Sequence, residues 1–354
     1  MRYSSPSKIS CWILGILAVA ALLAGCGGAG GSESEKSTTG DAAPVRVEEP
    51  PTPKCPPRSG RMQVALDARL GPESAGILMA QRLGYFTKLG LEVGVEEPEN
   101  PEDPIPSAGA GDAHLGVAPQ PQIIIGRDEG MQVIGLGSLV SEPTEAMIWL
   151  RSSRIDGIAD LKGKTIAYPG ASFQKRFLER ILMRAGLEPA DVKLMGVGSH
   201  LVAALSSGKA DAIFGGSWNL EGVALQARGQ RPVITKVKEM GVAGYNQSVL
   251  FAPYECVYKR SELFRAFLAA VARGTAAAVK NPAGAARAIR TSVGSAPGVS
   301  PRVLDAQLKA TLPLLSRDQV LSPQRIALIA WMKHWGMIKE KWPYATVFTN
   351  YYLE

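Results

Sequence analysis

Two stretches of this chain, SAGAGDAHLGVAPQ (residues 107–120) and SSGKADAIFGGSWN (206–219), repeat one arrangement. Each has a small Ser- and Gly-rich helix end, a turn of Gly, Ala and Asp, and a short apolar strand that stops at a polar loop. Glycine at helix C-termini would explain either stretch alone. Their separation of about 100 residues suits two similar lobes, each containing the unit, better than a solenoid of short repeats.

Strand-like and helix-like segments alternate around these units. MQVALDA from Met62 reads as a strand, the next segment sets Ile77, Leu78, Leu83 and Phe86 in helical spacing, and LEVGVEE from Leu91 reads as a second strand. The alternation continues through AHLGVA, QVIGLGSL, AMIWLR and TIAYPG, a helix over 173–185, VKLMGVG, a helix over 201–207, AIFGG and PVITKV. Strands interleaved with helices predict an α/β architecture with largely parallel sheets. With 354 residues, 46% hydrophobic and 20% charged, the chain can build one large or two medium domains. Its net charge of +7 is spread among 32 acids rather than massed in a block, so no nucleic-acid partner is expected.

The N-terminus reads as a processing signal. Arg2 and Lys8 precede an apolar segment, 9–23, too short for a good membrane span but suited to a signal peptide. It runs into LLAGC, which resembles a bacterial lipobox, so residues 1–25 are expected to be removed and Cys26 to carry lipid. Residues 26–60 then form a tether rich in Gly, Ser, Pro and charge. The expected location is the cell membrane, lipid-anchored on the extracytoplasmic side. Cys55 in the tether and Cys256 in the body are expected to be free thiols, because a residue in a disordered tether and one in a strand need not be neighbours.

Several blocks together resemble one family: LGYFTKLGLEVGVEEPENPEDPIPSAGAGDAHLGV, ADLKGKTIAYPG, LVAALSSGKADAIFGGSWNLEG and the closing FTNYYLE. They look like the substrate-binding lipoproteins of ABC importers in the SsuA/THI5-like (NMT1/THI5-like) family, the branch that includes thiamine pyrimidine-precursor binders and fungal pyrimidine synthases. The resemblance covers roughly 62–354. It implies a type II periplasmic-binding-protein clamshell of two α/β lobes joined by two crossover strands. Lobe 1 would be 61–144 plus 250–354 and lobe 2 would be 145–249. It also implies a monomer that binds a small molecule and delivers it to permease and ATPase subunits. The expected ligand is a heteroaromatic such as hydroxymethylpyrimidine or formylaminopyrimidine. A sulfonate, nitrate or flavin-type ligand on the same fold is the alternative, with a pyrimidine synthase-like enzyme behind it.

The candidate site follows from strand ends. In open α/β sheets ligands sit beyond the carboxyl ends of strands. Past AIFGG, Trp218 can stack on a flat ring, and Asn219 and Glu221 can pair with ring nitrogens and an exocyclic amine. Equally, Trp218 can be core, Asn219 can cap the helix LEGVALQAR, and Glu221 can sit in its first turn. After the first strand the chain carries Asp67, Arg69 and Glu73, where the family usually has aromatic and Asn or His residues. That departure makes a more charged ligand, selected through Arg69, an alternative. Gln120, Ser141 and Tyr245 complete the candidates, with Pro169 and Gly170 before a helix whose free N–H groups could take an anion or be capped by Ser172.

Chemistry is not expected. His114, His200 and His334 stand in separate segments, without a neighbouring cysteine or metal-type spacing. The resemblance points the same way, since ARLGPES lacks the Lys and His that the synthases carry there. No catalytic residue, cofactor or metal is anticipated.

Overall fold

The computed structural model describes residues 53–293, 300–322 and 326–353. The expected signal peptide, Cys26 and most of the expected tether lie outside the described residues. Ten strands occur among those described: β1 (Gly60–Ala65), β2 (Leu91–Glu96), β3 (Leu115–Ala118), β4 (Val133–Val140), β5 (Glu145–Leu150), β6 (Thr165–Tyr168), β7 (Lys193–Gly196), β8 (Ala212–Ser217), β9 (Pro232–Lys236) and β10 (Ser248–Pro253). The first helices are α1 (Ala75–Arg82), α2 (Pro104–Ala110), α3 (Gln120–Asp128), α4 (Ser172–Arg184), α5 (Leu201–Ser206) and α6 (Val223–Ala227). They are followed by α7 (Tyr254–Lys259), α8 (Ser261–Lys280), α9 (Pro282–Val293), α10 (Pro301–Thr311), α11 (Ile326–His334) and α12 (Tyr344–Val347).

The strands form two five-stranded sheets, β2-β1-β3-β10-β4 and β7-β6-β8-β5-β9. If β6 is counted as the first strand of its sheet, the two orders coincide. β3 and β8, the strands of the repeated stretches, then hold the same central place, each preceded by a short helix, α2 or α5. The sheets are mixed, not largely parallel. β1 pairs in parallel with β2 and β3, and β6 with β7 and β8, but β10 and β5 each run antiparallel to both neighbours. The reason is connectivity: β5 and β10 each enter a sheet after a crossing from the other, by 141–144 and 237–247 respectively, and thread in against its direction.

The central strands are covered on both faces. Every residue of β3, β4 and β10 is buried, which explains near-continuous apolar runs such as VIGLGSLV. Gly116 of β3 is required by close approach: it faces Phe251 across the β10 ladder, and a Cβ there would stand 2.2 Å from the Phe251 ring. Among the described residues no helix is long and apolar enough to cross a membrane.

The expectation of free thiols is corrected by the structure: Cys55 and Cys256 form a disulfide across 201 residues of sequence. The end of the Pro-rich segment is docked. Pro56 is buried, Cys55 packs against the first-sheet core, and the Lys54 backbone lies against Gly111 so closely that a Cβ there would meet it at 2.4 Å. Closing so long a loop restricts the unfolded chain, by about 2–4 kcal/mol for a typical disulfide. Cys256→Ser should therefore lower Tm by roughly 4–16 °C for a domain of this size. Calorimetry with and without reductant checks this, and coincident transitions for wild type and variant would show that the bond contributes nothing.

Candidate functional site

The loops beyond the strand ends bring four carboxylates together. Asp67 and Glu73 follow β1, Glu221 lies in the π-helical turn Trp218–Gly222 after β8, and Glu145 opens β5. Because β5 is antiparallel, its first residue pairs with Ser217, the last of β8, so Glu145 reaches the same edge. None of the four makes an ion pair among the described residues.

Their electrostatics follow from burial without counter-charge. Glu145 is 1% exposed, and desolvation pushes its pKa to about 7, although it accepts hydrogen bonds from Gln174 Nε2 (2.6 Å) and the Tyr245 hydroxyl (2.7 Å). Tyr245 is fully buried, and its own pKa is driven well above the ordinary range by burial and then by the Glu145 charge, so it remains a donor. Asp67 is raised to about 8 by burial and next by the charge of Glu73. Glu221 is raised to about 7 by burial, against a 2.6 Å hydrogen bond from the Ser217 amide. Asp67 and Glu221 keep some accessible surface, so the direction of their shifts carries the argument. The Glu73 charge raises all three of the others, which places Glu73 at the centre.

Glu73 is itself raised by burial and held back by Asn219, Ser248 and Thr144 in its surroundings. Of these only the Ser248 hydroxyl makes a direct bond, at 3.3 Å to Oε2, and Glu73 Oε1 is buried without a partner. Asn219 Oδ1 and Gln174 Oε1 are likewise buried and unpartnered. A cavity of about 40 Å³, lined by Leu66, Asp67, Arg69, Glu73, Leu220 and Ser248, opens beside this group. It has room for a water or two, far less than the roughly 300–1,000 Å³ of a ligand cleft. Bonds from the turn after β8 to α10 run beside it: Asn219 Nδ2 donates to Thr311 Oγ1 (2.8 Å) and Gln307 Nε2 to the Leu220 carbonyl (2.9 Å); elsewhere Arg176 Nη1 of α4 donates to the Met337 carbonyl (2.6 Å).

The other candidates are placed differently. Gln120 is fully buried, and its Oε1 accepts from the Asn246 amide at 2.7 Å, tying α3 to the second crossing. Ser141 lines a separate groove with Ser316, Arg317 and Asp318. Pro169 and exposed Gly170 form the turn into α4, where Ser172 is the first helical residue rather than its cap, and the Ser172 amide donates to Glu102 Oε1 at 2.7 Å. Asn219 is sealed and caps no helix through its side chain. Trp218 packs on the second-sheet core, with the Lys236 ammonium 4.2 Å from its ring centroid. Glu145, Gln174, Thr144 and Ser248 were not singled out from the sequence. The available signal was an acid placed directly before AMIWL, a wholly apolar strand start. Among the described residues no group of three or more His, Cys, Asp and Glu side chains is arranged to hold a metal ion.

The architecture is that of the two-lobed solute-binding proteins. The alkanesulfonate-binding protein SsuA of Xanthomonas axonopodis pv. citri, solved bound to MOPS, superposes with a TM-score of 0.66 at 16% identity, over 84% of this chain and 99% of that one. By sequence, the family model described as NMT1/THI5 like matches residues 71–285, and the chain belongs to that family. A formylaminopyrimidine-binding protein of Halalkalibacterium halodurans is 32% identical over 62% of this chain and 67% of its own length. A 4-amino-5-hydroxymethyl-2-methylpyrimidine phosphate synthase of Legionella pneumophila is 25% identical over 83% and 92%.

The pKa directions give a sign for pH dependence. A carboxyl whose pKa is higher folded than unfolded favours the folded chain at low pH, and that advantage is lost as pH rises from its unfolded value near 4.5 through its folded value. For Glu145 the window closes near pH 7. Tm of the ligand-free protein should fall as pH rises from 5 to 8, and Glu145→Gln should flatten the fall. Thermal scans across that range test it, and a Tm that rises with pH in wild type would reverse the sign.

Proposed function

We propose that this protein is an extracytoplasmic solute-binding lipoprotein of an ABC importer, and that it captures an amine-bearing heteroaromatic such as hydroxymethylpyrimidine or formylaminopyrimidine. The observation that carries the reading is the convergence of Asp67, Glu73, Glu145 and Glu221 without an ion-pair partner. Such a group repels a sulfonate or nitrate and attracts a donor-rich or cationic ligand. An aminopyrimidine presents a ring-nitrogen acceptor next to an exocyclic amine donor. A carboxyl poised near neutral pH offers the complement: protonated it donates to the ring and accepts from the amine, and ionised it holds a ring that brings its own proton. The unpartnered Glu73 Oε1 and Asn219 Oδ1 are acceptors for amine hydrogens. Ring stacking on Trp218 belongs to this reading if Lys236 leaves the ring on ligand entry.

The name of the 32% identical relative supports the ligand class. The Cys55–Cys256 disulfide supports an oxidising compartment, and LLAGC supports an anchor at Cys26. Since the cleft is nearly filled, the lobes would part about the crossings 141–144 and 237–247 to admit ligand.

A thermal-shift and calorimetric screen tests the reading. Aminopyrimidines at 100 times Kd should add about 2.7 kcal/mol of stability, and alkanesulfonates should add none. Glu73→Gln and Glu221→Gln should each weaken the aminopyrimidine roughly ten- to a hundred-fold, the range for hydrogen bonds to charged groups. Stabilisation by a sulfonate and not by any aminopyrimidine would sink the proposal. Mass spectrometry of the recovered ligand separates capture from turnover: an altered pyrimidine would move the protein toward the chemistry its synthase relatives are named for.

A further inference from the structure

The three most exposed large hydrophobic side chains among the described residues are tyrosines: Tyr254 (56%), Tyr258 (76%) and Tyr351 (69%). Tyr254 and Tyr258 are four residues apart on α7, whose opposite face buries Cys256 and Val257. Tyr351 packs edge-on against Tyr352 at 5.1 Å, and the Arg265 guanidinium of α8 lies 5.3 Å over the Tyr351 ring. Tyr352 packs against the same first-sheet core as Cys256 and Val257 of α7, which brings the C-terminal segment and that helix onto one core. The patch is outside the cleft, and the ligand reading makes no use of it.

Two observations identify its occupant. The first is composition. Lys54 and Arg58 flank Cys55, which is bonded to Cys256 in the same helix as Tyr254 and Tyr258, and Lys259, Arg260 and Arg265 follow. The acidic residues close to them along the chain are Glu255, itself paired with Lys259, and Glu262, with Asp112 next to the Gly111 that the Lys54 backbone lies against. Tyrosines edged by Lys and Arg are what an anionic membrane surface favours, the rings settling at headgroup depth and the cations meeting lipid phosphates. The second is position. The described chain begins at Pro53, two residues from the disulfide on this face, and 26 residues lie between it and Cys26. A chain of that length spans at most about 90 Å even when fully extended. A lipid on Cys26 would hold the patch near the bilayer at an effective concentration in the millimolar range.

We propose that the face formed by Tyr254, Tyr258, Tyr351 and Tyr352, with Lys54, Arg58 and Arg265 at its edge, rests on an anionic lipid bilayer. The assignment relies on the anchor in the proposed function and is independent of the ligand. Hydroxyl-radical footprinting of the full-length lipidated protein tests it, in detergent micelles, on phosphatidylcholine vesicles and on phosphatidylcholine–phosphatidylglycerol vesicles. Rates at Tyr258 and Tyr351 are normalised to Tyr168 of the second sheet. Both should oxidise several-fold more slowly on the anionic vesicles than in micelles. The protection should be weaker on neutral vesicles and at high salt, and Lys54→Glu combined with Arg58→Glu should reduce it. Equal normalised rates in micelles and on anionic vesicles would overturn the proposal. So would protection that grows with protein concentration in the absence of lipid, which would assign the patch to a second copy of the chain. An intact mass without acyl chains would overturn it together with the anchor, while leaving the ligand screen to stand or fall by itself.

Discussion

The chain crosses between its sheets twice, and each crossing feeds into a sheet a strand that runs opposite to that sheet's other four. That constraint organises the molecule. It makes β5 and β10 antiparallel to their neighbours, and it puts their first residues, Glu145 and Ser248, at the edge where the parallel strands β1, β3, β6 and β8 end. A site built only from the loops after parallel strands would draw on one kind of position. Here it also draws on the segments that link the lobes, and Thr144 and Gln247, one from each crossing, are joined by a 3.0 Å hydrogen bond. Residues of the acidic cluster and residues of the two crossings are therefore immediate neighbours in sequence.

The acidic cluster is costly to fold. Desolvating several carboxylates around one point disfavours their ionised forms, and the donors from Gln174, Tyr245, Ser217 and Ser248 offset that only in part. Where a local rule of stability is broken with no compensation inside the chain, a binding partner is the natural place to look for it. Orphaned acceptors on Glu73, Asn219 and Gln174 point to a partner rich in hydrogen-bond donors.

The lobes were legible because strand and helix periodicities differ so clearly, and because the repeated Gly-Asp turn marks the strand in the same central position of each sheet. The turn after β8 stood out in the sequence because AIFGG stops abruptly at paired glycines. Other parts were hidden by local ambiguity. Glu145 reads like an acid at the solvent edge of a strand, and only the antiparallel pairing turns it inward. Gln174 reads like the polar side of the amphipathic helix SFQKRFLERILMR, yet it is buried against Glu145. Asn219 and Glu221 invited the choice between cap and ligand contact, and tertiary partners decide how each is held: Thr311 for Asn219 and the Ser217 amide for Glu221. The disulfide was missed because Pro-rich composition reports stiffness and says nothing about whether the segment is docked.

The Cys55–Cys256 bond also has a mechanical consequence. β1 begins only five residues after Cys55, and tension applied to the chain ahead of it would otherwise load the hydrogen bonds that hold β1 between β2 and β3. The covalent link diverts that load into α7 before it reaches the sheet. A load on the chain ahead of Cys55 is thus borne by the body around the first sheet, and the strand that carries Asp67 and Glu73 just past its end is shielded from being peeled away.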